Sequence, residues 1–438
     1  MTGQRFAVVG GGFSGIAAAH HLRCAGHEVE LFERDDVLGG RCGPDRLGER
    51  PIMLGGKNIG RRYHELRAFV AEAGPYEYEP FGINSAQIID GRPRTLDNPG
   101  VLALIRHLLR LGSPADVAKM LTVGALVRLD ERNRYLGTEV FDRIGLAADG
   151  RALDHHFTGD FTRDVVRPLS LRLNAAEPDE VFMGAFGVSL GMVMDRYDQL
   201  VEGIQPVLDW FAGRVTVRLR TPVREVLIRD GRVRGLMLGE NGTSARLREF
   251  DAVVVATPAW AAARLLEFGL PALGSLLDSV RYFPSTVAVV RYARPFFGSE
   301  IRSLALDSGP CSAVGVYGAN DRDIVRYTFS GRAARPLPER NVLDGWIEEA
   351  ESRVRRDLGL AEVPRLEVRS RGWSAAHCAY VPYGSRFRAG VRESLATVTG
   401  LQLAGDYLAG AQLEACFRSG RLAAEQLLER SGRAPIMR

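Results

Sequence analysis

Three glycines near the start of the chain have the spacing of a phosphate-binding turn. They follow an apolar run over residues 5–9 and precede an Ala-rich segment typical of a helix. In such a strand–turn–helix unit, glycines let a pyrophosphate approach the backbone, and the helix N-terminus points free N–H groups at it. Since Ser14 belongs to this turn, it is not a candidate hydrolase nucleophile. The turn runs over residues 10–15, and its candidate cofactor-binding residues are Gly10, Gly12, Phe13, Ser14 and Gly15.

An acidic residue completes this pattern. The segment HEVELFER predicts a second strand, and Glu33 stands at its end. A carboxylate in this place accepts hydrogen bonds from the ribose of a bound dinucleotide. The pattern therefore predicts a dinucleotide site, although the glycines alone leave NAD and FAD both open.

The composition excludes several classes of protein. The 438 residues are 46% hydrophobic and 25% charged, as in an ordinary globular protein of two or three domains. The net charge of +4 is too small to indicate nucleic-acid binding. Of the 57 basic residues only Lys57 and Lys119 are lysine, a bias typical of GC-rich bacterial coding.

The five cysteines form no C-x-x-C pair, so we expect neither disulfides nor a metal site. The N-terminus lacks the charged and apolar regions of a signal peptide. No apolar run reaches the roughly 18 residues of a membrane-spanning helix. These features predict a cytoplasmic protein.

Helical periodicity dominates residues 97–200, where apolar residues recur at i, i+3 and i+4. The helix around Arg106 and Arg110 has a composition that also suits a membrane surface, but packing on its own domain is favoured. Alternation over residues 214–238 predicts a hairpin at Asp230-Gly231.

Three later segments complete the predicted elements. Residues 251–258 and 285–297 have the apolar composition of buried strands. A strand, a turn at 405–407 and a long helix from about Leu413 end the chain.

Two segments after the second strand resemble those of a known family. VLGGRCG, with Gly40 and Arg41, and PIMLGGKNIG, with Gly55 and Gly56, are similar to stretches of the FAD-dependent amine oxidase family. That family also contains protoporphyrinogen oxidases and carotenoid-type desaturases. The resemblance implies that the first segment lies against the pyrophosphate and the second close to the flavin.

The chain departs from the family's pattern at two positions. The family often has an arginine where this chain has Asp35, and Arg34 is the candidate replacement. It often has an aspartate where this chain has Met53. Contacts to the cofactor are expected to differ there.

The C-terminal block LQLAGDYLAGAQLEACFRSGRLAAEQLLER is similar to the family's G-D/E…E-G-A…S-G…A-A segment. The resemblance places Gly405 and Asp406 near the phosphates and ribityl chain, and the backbone N–H of Leu413 at the flavin. A helix N-terminus there stabilises the negative charge of reduced flavin. In the family a valine of a T-P-V stretch, here Val223, touches the adenine through its backbone.

The resemblance implies an α/β protein with two domains. One is a discontinuous, Rossmann-like FAD-binding domain that contains the G-x-G-x-x-G turn, and the other is a mixed α+β domain that binds substrate. The expected boundaries are 1–75, 196–265 and 391–438 for the first domain, and 76–195 and 266–390 for the second.

The stretch GWSAAHCAYVPYG supplies the candidate substrate-side residues. Several family members carry W-x4-P-x-Y here, and Trp373 and Tyr380 keep that spacing, with Cys378 in the proline position. The resemblance implies that the two aromatics orient an amine or a flat substrate near the flavin; two core aromatics are the alternative. His377 is a candidate base. A covalent flavin link at Cys378 is disfavoured, because the family's covalent cysteine does not align with it.

Many amine oxidases of this family carry a lysine near flavin N5, where this chain has Val287. A positive charge there stabilises developing superoxide, so its absence predicts modest oxygen reactivity. Lys57, which follows Gly55-Gly56, is the candidate that would supply the charge from another direction. The electron acceptor is therefore oxygen or another molecule.

The resemblance implies an FAD-dependent oxidase or dehydrogenase that removes a hydride from a C–N or C–C bond of a small organic substrate. An FAD-dependent desaturase of an isoprenoid or other apolar substrate is the alternative. In Rab GDP-dissociation inhibitors the same fold is a non-redox, prenyl-binding protein. The intact glycines, Glu33 and the C-terminal block argue against that third class.

Overall fold

The computed structural model describes residues 4–81, 86–89, 91–95, 101–239 and 246–430. These residues contain twenty strands and fifteen helices, apart from short 3-10 and π segments. The strands are β1 (Arg5–Val9), β2 (Glu28–Phe32), β3 (Pro44–Leu47), β4 (Arg50–Met53), β5 (Ile59–Gly60), β6 (Tyr78–Pro80), β7 (Ala86–Ile89), β8 (Arg92–Thr95), β9 (Tyr197–Leu200), β10 (Thr216–Arg218), β11 (Val223–Arg229), β12 (Arg232–Leu238), β13 (Arg246–Glu249), β14 (Ala252–Val255), β15 (Tyr282–Tyr292), β16 (Ser303–Ala305), β17 (Cys311–Val316), β18 (Ile324–Phe329), β19 (Arg365–Cys378) and β20 (Leu401–Leu403).

The helices connect these strands and cover the sheets. They are α1 (Phe13–Cys24), α2 (His64–Ala73), α3 (Val101–Leu111), α4 (Pro114–Leu129), α5 (Glu139–Ala148), α6 (Gly159–Phe161), α7 (Arg167–Asn174), α8 (Met183–Val193), α9 (Gln205–Ala212), α10 (Ala259–Leu266), α11 (Pro271–Asp278), α12 (Arg340–Leu358), α13 (Gly384–Ala396), α14 (Asp406–Ala409) and α15 (Leu413–Arg430).

A five-stranded parallel sheet with the order β10-β2-β1-β14-β20 lies at the centre of the fold. Val8 of β1 pairs with Leu31 of β2 and with Val254 of β14. Alternate residues of β1 enter two different apolar clusters, Val8 on one face and Val9 on the other. Both faces are therefore covered, which explains why these strands are almost entirely apolar.

Helices α1 and α15 pack together against one face of this sheet. A Cβ on Gly420 of α15 would lie 1.9 Å from the carbonyl oxygen of Ser14, so only glycine permits this approach. Phe417 of α15 and Ile16 of α1 lie in the same buried cluster. Each such buried side chain stabilises the fold by about 2 kcal/mol, and the packing fixes where both helices begin.

A second sheet has seven strands in the order β19-β15-β18-β17-β16-β7-β8. Its neighbouring strands β15 and β18 are antiparallel, with Val287 opposite Thr328. Helix α12 covers one face, where Ile347 and Val354 join Tyr327 in a buried cluster. The other face, which contains Val287, meets the hairpin of β3 and β4.

Helices α3 to α8 carry a further apolar cluster with Phe161 and Phe186 at its centre. Helix α4 begins at a capping box, in which the Ser113 hydroxyl and the Asp116 carboxylate each accept a hydrogen bond from the other's backbone N–H. The start of the predicted helix near residue 97 lies outside the described residues.

The chain is a mixed α/β protein, as predicted. The strand at residues 5–9, the hairpin at Asp230-Gly231 and the helix from Leu413 are all confirmed. At 405–407 the structure has the short helix α14 rather than a simple turn.

The strands of the two main sheets also separate along the predicted boundaries. The parallel sheet takes its strands from 1–75, 196–265 and 391–438, and the seven-stranded sheet from 76–195 and 266–390. The division into a cofactor domain and a substrate domain itself stays a prediction.

Candidate functional site

The glycine turn leads from β1 directly into α1. Gly10 has a φ of 108°, a value that favours glycine, and a Cβ on Gly15 would lie 1.8 Å from the oxygen of Gly10. A Cβ on Gly12, by contrast, would meet no atom within 4 Å. No side chain caps α1, so its first N–H groups remain open to an anion such as a pyrophosphate.

Glu33 lies at the carboxyl end of β2, with 9% of its surface exposed. Its Oε2 accepts a hydrogen bond from the Gly11 N–H at 2.6 Å, and its Oε1 accepts one from the Asp35 N–H at 2.9 Å. These bonds hold the carboxylate beside the glycine turn, and each oxygen retains a lone pair for a ribose hydroxyl. Arg34 is exposed and pairs with Asp35 at 3.6 Å.

The start of β11 lies next to Glu33. The Thr221 N–H donates to the Glu33 carbonyl oxygen at 2.8 Å, and Val223 begins the strand two residues later. The structure therefore brings Val223 into the neighbourhood of the acid. Its contact with an adenine stays a prediction.

The segment around Gly40 packs on the glycine turn. The Gly39 N–H donates to the Gly11 oxygen at 2.8 Å, and a Cβ on Gly40 would lie 3.2 Å from the Cα of Gly12. The peptide between Gly40 and Arg41 therefore reaches the open side of the turn, where a pyrophosphate would lie.

Arg41 connects this segment to the C-terminal block. Its Nη1 donates to Asp406 Oδ2 at 2.7 Å and to the Ala376 oxygen at 3.1 Å. The other oxygen of Asp406 accepts hydrogen bonds from the Tyr282 hydroxyl at 2.8 Å and from the Tyr407 N–H at 3.1 Å. Sequence reasoning missed Tyr282, which lies at the start of a strand with no motif around it.

The Gly55-Gly56 pair faces the N-terminus of α15. The Gly56 N–H donates to the Arg41 oxygen at 3.1 Å. A Cβ on Gly56 would lie 3.6 Å from Cδ2 of Leu413, the first residue of α15. The predicted flavin segment and the predicted flavin-facing helix end are thus adjacent.

Three distant parts of the chain therefore converge at the carboxyl end of the parallel sheet, and they form the candidate cofactor site. The exposed side of Gly12, the oriented carboxylate of Glu33 and the uncapped N-terminus of α1 together match the chemistry of a dinucleotide. The predicted cofactor-binding residues that meet here are Gly10, Gly12, Phe13, Ser14, Gly15, Glu33, Gly40, Arg41, Gly55, Gly56, Gly405, Asp406 and Leu413.

Tyr380 and Trp373 occupy different surroundings. The Tyr380 hydroxyl accepts a hydrogen bond from the Ala411 N–H at 2.8 Å, and burial raises its pKa well above the ordinary value. Trp373 packs on the hairpin of β3 and β4, where a Cβ on Gly43 would lie 2.9 Å from its ring. The structure does not place the two rings in one cluster, and their shared role at the substrate stays a prediction.

His377 and Cys378 end β19. Burial, with the nearby charge of Arg41, lowers the pKa of His377 to about 4. Its Nδ1 lies 3.2 Å from the Leu173 oxygen, which can only accept, so Nδ1 carries the proton and Nε2 has a free lone pair. Cys378 is buried, and burial raises its thiol pKa well above the ordinary value, which keeps it protonated.

The Lys57 side chain is buried and is held by groups outside the candidate cofactor site. Its Nζ donates to the side chain of Gln199 and to the Tyr317 oxygen, and it lies 4.1 Å from the Phe81 ring centre and 4.2 Å from that of Tyr317. Burial, followed by the charge of Arg326, lowers its pKa well below the ordinary value. A catalytic role of Lys57 stays a prediction.

Arg326 is a second residue that sequence reasoning missed. It lies on β18 and donates from Nη1 to the Met53 oxygen at 3.1 Å and from Nη2 to the Gly55 oxygen at 3.0 Å. The sequence does show an arginine inside the mostly apolar strand IVRYTF. It does not show that this arginine contacts Gly55.

A small cavity, with room for about one water molecule, adjoins Tyr380 between α7 and α8. Its wall is mostly apolar, and its polar groups are Ser170, Asn174 and Ser189. The Ser189 hydroxyl donates to Asn174 Oδ1 at 3.0 Å. A second small cavity also adjoins Tyr380 and is lined by the Asp142–Arg388 ion pair.

The described part of the chain has neither a membrane-spanning helix nor a cluster of metal ligands. No helix there combines the length and apolar character needed to cross a membrane. No three histidine, cysteine, aspartate or glutamate side chains among those residues are grouped to hold a metal ion.

The model of the flavin containing amine oxidoreductase family matches residues 13–428. A carotenoid phi-ring synthase of Streptomyces griseus is 30% identical over 478 aligned positions, which cover 97% of this chain and 88% of that protein. A coproporphyrinogen III oxidase of Mycobacterium tuberculosis is 26% identical, with 98% of both chains covered. The structure of cyclohexylamine oxidase from Brevibacterium oxydans superposes with a TM-score of 0.75 at 17% identity, covering 98% of this chain and 100% of that one.

The chain therefore belongs to the flavin-containing amine oxidoreductase family. It is an FAD-dependent oxidase or dehydrogenase, and the chemistry of the residues at the candidate cofactor site suits that cofactor. The likeness to cyclohexylamine oxidase shows the shared fold alone.

Proposed function

We propose that the protein removes a hydride from a C–N or C–C bond of a small organic substrate that binds next to Tyr380. When bound, FAD accepts the hydride. The N-terminus of α1 and the backbone at Gly12 would hold the pyrophosphate, and Glu33 the ribose. The C-terminal segment from Gly405 to Leu413 would hold the flavin end, so the FAD-binding domain is Rossmann-like and discontinuous.

One observation supports this placement of the substrate. The Tyr380 side chain lines the cavity, while its hydroxyl is bonded to the Ala411 N–H, two residues before α15 begins. The cavity therefore adjoins the helix end predicted to face the flavin. The wall around this position is mostly apolar, and the side chains of Asn174 and Ser189 offer hydrogen bonds that orient a polar group. His377 is neutral near pH 7, and its pKa of about 4 makes it a weak base there.

A desaturase of an apolar, isoprenoid-like substrate is the second candidate. The mostly apolar wall of the cavity favours it, as does the similarity to the carotenoid phi-ring synthase along 97% of the chain.

Anaerobic reduction of the bound flavin tests both candidates. The purified protein is mixed with amines, amino acids, porphyrinogens and polyenes, and loss of the flavin absorbance identifies the substrate class. Ala185→Leu, which fills part of the cavity, should slow reduction by the substrate but leave photoreduction unchanged. Ala118→Leu, on the exposed face of α4, is the matched control. Equal reduction by the substrate in both variants would place the substrate elsewhere.

A further inference from the structure

Arg326 is a largely enclosed cation with an unusual set of partners. Its two described hydrogen bonds go to backbone oxygens, those of Met53 and Gly55. Within the described residues, no carboxylate lies within ion-pair distance of its guanidinium. Neighbouring arginines differ in this respect, because Arg41 pairs with Asp406, and Arg50 with Asp321 and Glu79.

The position of Arg326 in the sheet brings it to the flavin segment. On β18 it stands opposite Val289 of β15, and Thr328 stands opposite Val287. Residues two apart on a strand share a face, so Arg326 lies on the same face as Val287. From there its side chain reaches Gly55, the first residue of the Gly55-Gly56 pair.

A charge in this position is costly unless something compensates it. Two carbonyl dipoles offset only part of the desolvation of a cation. Burial lowers the pKa of Arg326 to about 10, so the guanidinium still keeps its charge at neutral pH. Lys57 responds differently, because burial and the charge of Arg326 lower its pKa well below the ordinary value. Arg326 is thus the permanent charge of the two.

We propose that Arg326 is the fixed positive charge that stabilises the reduced flavin, acting through its field across the Gly55 peptide. The inference rests on the proposed function and deepens it. Both Nη atoms of Arg326 donate to carbonyl oxygens, so the position of the charge is fixed.

Sulfite binding and the midpoint potential of the bound flavin test this proposal without any substrate. Sulfite forms a negatively charged adduct with oxidised flavin, so its affinity reports nearby positive charge. Arg326→Met should weaken sulfite binding about tenfold, and a tenfold change corresponds to a potential lower by about 30 mV for a two-electron couple. Arg326→Lys should stay within threefold of wild type. Arg294→Met is the control, because Arg294 is exposed and also donates to a backbone oxygen, that of Glu362.

Unchanged sulfite affinity and potential in Arg326→Met would overturn the proposal. A raised KM for acidic substrates with an unchanged potential would also overturn it, since the charge would then serve a substrate carboxylate. If Arg326→Met does not fold, Arg326→Gln and Arg326→Lys are compared instead, and equal sulfite affinities decide against the charge. A wild-type protein that takes up no FAD would refute the proposed function itself, a result distinct from all of these.

Discussion

The Nη1 atom of Arg41 lies 2.7 Å from Oδ2 of Asp406, and this contact joins residues 365 positions apart in the chain. Asp406 is 1% exposed, whereas about a third of the Arg41 side chain is accessible. The pair holds the segment after the glycine turn to the segment before α15. The candidate cofactor site therefore depends on a contact between the N-terminal and C-terminal parts of the sequence.

Asp406→Asn should lower the free energy of unfolding by about 2 kcal/mol, less than for a fully buried pair because solvent screens Arg41. Chemical denaturation measures this change. Asp160→Asn breaks the exposed pair with Arg163 and should cost less than about 0.5 kcal/mol. Equal decreases in the free energy of unfolding would show that the Arg41–Asp406 pair stabilises the protein no more than an exposed ion pair does.

Glu33→Ala should weaken FAD binding by about 10- to 100-fold, because a hydrogen bond to a charged group contributes about 1.5–3 kcal/mol. Fluorescence titration of apoprotein with FAD measures the Kd. Asp36→Asn, which alters an exposed acid near Glu33, serves as the control and should leave the Kd unchanged. A wild-type Kd in Glu33→Ala would show that Glu33 does not bind the ribose.

Tyr380→Phe should slow flavin reduction by the true substrate about tenfold while FAD content stays normal. The lost hydroxyl leaves the Ala411 N–H without its partner, and an unpaired buried group costs about 1–3 kcal/mol. Rapid-mixing spectroscopy under nitrogen measures the rate, with Tyr76→Phe as the control. Trp373→Phe tests the other predicted aromatic. Wild-type rates in both Tyr380→Phe and Trp373→Phe would make the pair structural only.

Reduced wild-type protein should react slowly with oxygen, because Val287 supplies no charge where many family members have lysine. Stopped-flow mixing with air-saturated buffer measures this reaction. Lys57→Met should not slow it further, since Nζ is held by Gln199 and Tyr317. Fast reoxidation in the wild type would contradict the argument from Val287. Loss of that speed in Lys57→Met would assign the role to Lys57.

Stability should fall as the pH decreases from about 6.5 to 4. Burial and the charge of Arg41 lower the pKa of His377 from 6.5 to about 4, so in this range the unfolded chain binds the proton more strongly. The contribution is at most on the order of 3 kcal/mol. His377→Asn should flatten the pH dependence of chemical denaturation, and the exposed His155→Asn should not. Identical slopes in the two variants would contradict the shift.

The elements around the glycine turn could be predicted because their signals are local. An apolar run, a glycine spacing and an Ala-rich segment mark β1, the turn and α1 within about twenty neighbouring residues. The same holds for α15, whose start at Leu413 follows from a motif and a helical pattern. Where family resemblance was available, it assigned further positions such as Gly55-Gly56.

The partners of Arg326 and Tyr282 could not be predicted in this way. Arg326 meets Gly55 across 271 positions, and Tyr282 meets Asp406 across 124. Such contacts depend on the register of strands that are far apart in the chain, and no local pattern encodes that register. The burial of Lys57 escaped prediction for the same reason, because Gln199 and Tyr317 come from distant elements.

Gly420 of α15 packs against Ser14 of α1, so this contact can form only after the C-terminal part of the chain has been synthesised. Helix α1 leaves the ribosome about 400 residues before α15, its packing partner, which at ordinary elongation rates is roughly 20 to 80 s. During that interval the apolar side of α1 does not yet pack against α15, and the candidate cofactor site lacks its C-terminal segment. Provisional contacts are therefore expected to cover this side of α1 until α15 emerges, and cofactor loading is expected to be among the last events of maturation.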